Sequence, residues 1–157
     1  MTMRPGLATA PSDPSRPAEL PCVAVLNSRA DFIEALCEGL EADGFQTAAA
    51  HLADIQSGVL DLLAFVDLHD PDAIVYDLPR PYESHWNFLR LLKETDSLKG
   101  RTWVLTTTDK EALEAAVGAS GVVEIIFGEP YRVVDVVAAV RRALHDTGPR
   151  GRTADTT

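Results

Sequence analysis

Asp77 closes a short apolar run, Asp72-Ala-Ile-Val-Tyr-Asp77, and Leu-Pro-Arg-Pro81 follows it. A carboxylate at the C-terminal mouth of a buried strand stands where open α/β sheets keep their functional sites. There it could help to hold a hard cation, or merely solvate a strand end. Thr106 ends a second such run, Trp103-Val-Leu-Thr106. Asn27 and Ser28 follow a third, Cys22-Val-Ala-Val-Leu26, and Glu129 precedes Pro130. His51, His69, His85 and His145 are scattered and match no metal spacing, and Cys22 and Cys37 lack the short spacings of a zinc site. Both cysteines fall on predicted core faces, where a thiol behaves as a small hydrophobe. Asn27-Ser-Arg-Ala-Asp31 has no glycine and one hydroxyl, a poor cradle for a phosphate.

These residues are positioned by an alternation of elements. After the strand at 22–26, Ser28-Arg-Ala-Asp31 reads as a capping box opening a helix over 31–42, stopped by Gly44. Phe45 to Ala50 is a second, weak strand. Leu52 to Leu68 carries Ile55, Val59, Leu62, Leu63 and Val66 at helical spacing, with Asp54, Asp61 and Asp67 on the wet side and Gly58 as a point of interruption. The strand ending at Asp77 precedes a helix over 86–93 with Phe88, Leu89, Leu91 and Leu92 as its apolar set. Strand 103–106 is followed by a second capping box at Thr108, a helix ending near Gly118, a strand at 122–127 and a last helix over 132–145. Five short apolar strands alternating with five helices predict an α/β fold. It is a doubly wound five-stranded parallel sheet with helices on both faces, a flavodoxin-like three-layer sandwich.

Residues 1–21 hold five prolines and no apolar periodicity, so they read as a disordered tail, as do residues 146–157. The domain is expected at 22–145. The net charge of −10 lies wholly there, where ten Lys or Arg oppose twenty Asp or Glu. Such a charge disfavours nucleic acid and anionic membrane surfaces and suits a basic protein partner. No apolar run approaches the ~20 residues that span a bilayer, so a cytoplasmic protein is expected.

The order of elements and the anchors Asp77, Pro81, Thr106 and Pro130 resemble the receiver domain of bacterial two-component response regulators. The likeness covers residues 22–145. It implies that Asp77 corresponds to the aspartate that accepts a phosphoryl group from a histidine kinase, and Thr106 to the switch hydroxyl. The spacing of 29 residues between them suits the family. Two positions depart from it. The family ends its first strand in two acidic residues that hold Mg²⁺, and here Asn27 and Ser28 stand there, so Asp77 and Asn27 would make a weak metal site at best. The family also places a lysine before the fifth-strand proline, and here it is Glu129. Charges ~4 Å apart interact by roughly 1 kcal/mol in water and ~4 kcal/mol at an intermediate dielectric, so this exchange turns attraction into repulsion.

In the last helix, Val133, Val137, Val140 and Leu144 form the expected core stripe. Val134, Ala138 and Arg141 fall outside it, and the resemblance makes the surface of the fourth helix, fifth strand and fifth helix the expected place for a homodimer or partner contact. The expectation is a stand-alone atypical receiver, a pseudo-receiver. It would act through contact with a protein such as a histidine kinase, with no catalysis, no cofactor and no conventional phosphorylation. A conventional receiver phosphorylated on Asp77 and a small-ligand-binding α/β domain are the alternatives.

Overall fold

The computed structural model describes residues 20–58, 60–117, 125–128 and 131–147. The elements are β1 Cys22–Asn27, α1 Ala30–Ala42, β2 Gln46–His51, α2 Leu52–Gln56, α3 Leu62–His69, β3 Ala73–Asp77, α4 Tyr82–Lys93, β4 Thr102–Thr107, α5 Lys110–Val117, β5 Ile125–Gly128 and α6 Val133–Thr147. All strand pairings are parallel, in the order β2-β1-β3-β4-β5. The doubly wound sheet is therefore as the alternation of elements predicts.

Successive residues of β1 divide between two cores, because strand side chains alternate faces. Val23 and Val25 pack with Leu36 and Leu40 of α1 and with Val136, Val137, Val140 and Leu144 of α6. Ala24 and Leu26 pack with Phe65 and Val66 of α3, Trp86 and Leu89 of α4, and Leu113 of α5. A sheet covered on both faces needs such continuous apolar strands. Where α1 crosses α6 the contact is tight: a Cβ on Gly39 would stand 2.8 Å from Val133 Cγ1 and 3.2 Å from Val137 Cγ2. Asp43, just past α1, accepts two hydrogen bonds from Arg141 at 2.9 and 2.8 Å.

Several local expectations are corrected. The single helix over 52–68 is two. Gly58 takes φ +85°, and Asp61 leaves the wet face to cap α3, accepting the N–H groups of Leu63 and Ala64. Ser28 caps nothing, since the N-cap of α1 is Arg29 without a side-chain bond. At α5 the Ala112 N–H is accepted by Asp109 Oδ1, not by Thr108. The third predicted helix begins four residues earlier, at Tyr82, and buries Tyr82, Trp86 and Leu89; Phe88 and Leu91, read as core, are exposed. Cys22 and Cys37 are half-buried thiols outside any disulfide rather than fully buried ones. The core stripe of α6 also takes in Val136, Ala139 and Ala143. That helix runs two residues past 145, while the remaining tail residues, 1–19 and 148–157, lie outside the described residues.

Candidate functional site

The C-terminal ends of β1, β3 and β4 converge on Asp77. The β3–β4 register sets Asp77 beside Thr106, and Leu78 N–H donates to the Thr106 carbonyl at 2.8 Å, which holds the two strand ends together. Thr106 is fully buried and its Oγ1 donates to Asp77 Oδ1 at 2.9 Å. From the end of β1, Ser28 Oγ reaches Asp77 Oδ2 at a long 3.4 Å. Asp77 and Thr106 thus come together as their spacing predicts. Ser28, read from its neighbours as a cap and through the resemblance as standing at one of the family's two acidic positions, does not cap α1 and reaches the site instead.

Asn27 lies at the same mouth, 1 % exposed. Its Oδ1 accepts the Arg29 N–H at 2.9 Å and its Nδ2 is buried with no hydrogen-bond partner. An amide in this state offers a metal a donor where a carboxylate would offer an oxygen. Glu129, and Pro130 after it, lie outside the described residues. Mg²⁺ in such folds demands near-octahedral oxygen ligation with one or two carboxylates. Among the described residues, one carboxylate, one hydroxyl already turned to it and one amide oxygen already engaged do not fit that ion. Among the described residues no three His, Cys, Asp or Glu side chains group to hold a metal.

A second network flanks the site. Thr107 Oγ1 donates to the Tyr82 phenol at 2.7 Å, and that phenol shares a 3.0 Å hydrogen bond with Thr108. Arg80 lies 5.1 Å from the Tyr82 ring centroid and pairs with Asp109 at 3.0 Å. Burial pushes the Tyr82 phenol up, but the bonds with Thr107 and Thr108 and the Arg80 charge outweigh it and leave it below the ordinary tyrosine range. In β3, burial and then the neighbouring Asp77 charge push Tyr76 above that range. Nothing in the sequence marks this network, because Tyr82 and Thr107 are 25 residues apart and neither carries a motif. The close approach of β5 to α5 is equally silent: a Cβ on Gly128 would lie 2.7 Å from Lys110 Cβ.

The fold as a whole is similar to that of solved structures. A response regulator from Thermotoga maritima matches with a TM-score of 0.61 and 20 % identity, covering 81 % of this chain and 99 % of that one. A sensor protein from Polaromonas sp. JS666 matches at 0.65 and 16 %, covering 81 % and 98 %. The signal receiver domain of a histidine kinase from Syntrophus aciditrophicus matches at 0.63 and 21 %, covering 87 % and 97 %. The chain has the receiver fold. No protein-family model matches the sequence, and no curated protein is similar to it. Within the receiver fold, Asp77 and Thr106 stand at the ends of neighbouring strands as the resemblance implies, while the end of β1 carries no charge.

The predicted contact residues lie together on α6. Val134 is 58 % exposed, Ala138 half-buried and Arg141 exposed but bonded to Asp43. Val133, Val137 and Arg141 all meet α1. At ~100° per residue, Val134 and Ala138 therefore lie on the outer side of the flank turned to α1, away from α5 and β5. No helix among the described residues is long and apolar enough to cross a membrane.

Proposed function

We propose that this chain is an atypical receiver-like signalling domain of a bacterial two-component system. It acts in the cytoplasm through protein–protein contact and not by Mg²⁺-dependent phosphorylation of Asp77. The observation that carries the reading is the state of the β1 end: Asn27 is buried with its oxygen spent on Arg29, and Ser28 donates toward the carboxylate that a metal would need. The neighbours' names, a response regulator, a sensor protein and a histidine kinase receiver domain, support a signalling role. The exposed flank with Val134 supports a contact role.

Incubation of the full chain with acetyl phosphate and Mg²⁺, followed by intact mass, tests the first part. The mass is expected to stay unchanged. A stable gain of one phosphoryl group that disappears in Asp77→Asn would establish the conventional receiver in its place. For the contact, Val134→Glu is expected to weaken self-association or partner binding at unchanged thermal stability, because a charge buried unpaired at an interface is costly and one in water is not. Unchanged association would remove Val134 from the contact.

A further inference from the structure

The outward face of α4 carries two large apolar side chains that the core does not use. Phe88 is 56 % exposed and Leu91 is 69 % exposed, one turn apart on the helix. They are neighbours at i and i+3, and the buried residues Tyr82, Trp86 and Leu89 lie on the other side of α4. Single exposed apolar residues are ordinary, but two that adjoin on one helix face make a contiguous apolar patch against which the apolar face of an amphipathic helix can lie.

The exposed charges of α4, its C-cap and the adjoining α5 are mostly negative: Glu83, Glu94, Glu111 and Glu114 against Arg90 and Lys110. Lys93 is turned inward over the rings of Trp86 and Trp103, at 5.4 and 5.5 Å. The molecule as a whole carries a net charge of −10. A second copy would bring the same acidic rim against itself, whereas a basic segment would be drawn to it.

We infer that the Phe88–Leu91 face of α4 is a docking surface for a cationic amphipathic helix of a partner protein. The inference deepens the contact reading above but uses a different face. It stands or falls without reference to phosphorylation or to Val134.

The test uses the full chain and three fluorescently labelled peptides: a helical Leu/Lys amphipathic peptide, its Leu/Glu counterpart and a scrambled Leu/Lys peptide of equal charge. Anisotropy titrations are run at ~0.15 M salt, where charges further apart than about 8 Å are largely screened. The amphipathic cationic peptide is expected to bind more tightly than the other two. Phe88→Ser with Leu91→Ser is expected to weaken it about tenfold or more, since each anchor is an apolar side chain removed from water, while Val134→Ser leaves it unchanged. Both changed positions are exposed, so thermal unfolding should not move.

Equal binding of the scrambled peptide, or binding that the double variant leaves intact, would reduce the attraction to net charge and overturn the inference. Self-association abolished by the double variant would overturn it in favour of a second copy. Tighter peptide binding after removal of residues 1–19 would identify that segment as the occupant and overturn it likewise.

Discussion

Thr106 Oγ1 donates a 2.9 Å hydrogen bond to Asp77 Oδ1 between the adjacent ends of β3 and β4. With Ser28 on the other oxygen, the carboxylate ties the ends of three strands together.

Thr106→Val removes a fully buried donor and leaves a carboxylate oxygen short of one bond. A loss of about 1–2 kcal/mol in urea unfolding is expected. Thr106→Ser should recover most of it; a Val variant as stable as the parent would show that the bond contributes nothing.

Combining Asn27→Asp with Glu129→Lys places a second carboxylate at the end of β1 and restores the cation that the resemblance implies. Calorimetry is expected to show tighter Mg²⁺ binding than in the parent, and Mg²⁺ should raise the variant's melting temperature through binding to the folded state. If neither moves, the alignment of these positions with the metal site is wrong.

Gly39→Ala forces a methyl group against Val133 and Val137. Alanine favours the helix by about 1 kcal/mol, and overpacking typically costs about 1–3 kcal/mol, so a net loss of up to ~2 kcal/mol is expected. The pair Gly39→Ala with Val133→Ala should relieve the clash, because Val133 Cγ1 is the nearest atom. Denaturant midpoints of the three variants decide the matter.

The Arg141 guanidinium holds the Asp43 carboxyl below its ordinary range. A group whose folded pKa is depressed adds stability above its unfolded value and loses it as pH falls through the folded value. The melting temperature gap between the parent and Arg141→Ala should therefore be open at pH 7 and close below about pH 4. The gap should be small, since both partners face solvent. A gap that persists undiminished at acid pH would mean that Arg141 contributes through packing.

The alternation of short apolar runs with helical periodicity determined the fold, because both faces of a parallel sheet must be buried and only such runs can fill it. Asp77 and Thr106 were legible for the same reason: each stands at the C-terminal end of an apolar run, and strand ends are marked locally. What lies across space was not. Ser28 reads as a cap from its neighbours and reaches the strand mouth only through the resemblance; its bond to Asp77 is set by the β1–β3 register. Asp61 reads as a wet-face residue, and only the turn at Gly58 makes it a cap. Phe88 and Leu91 match the apolar period of their helix as well as Leu89 does. Periodicity gives a helix's apolar arc but not the width of the surface it packs on, and α4 meets a core that takes Tyr82, Trp86 and Leu89 and leaves the other two in water.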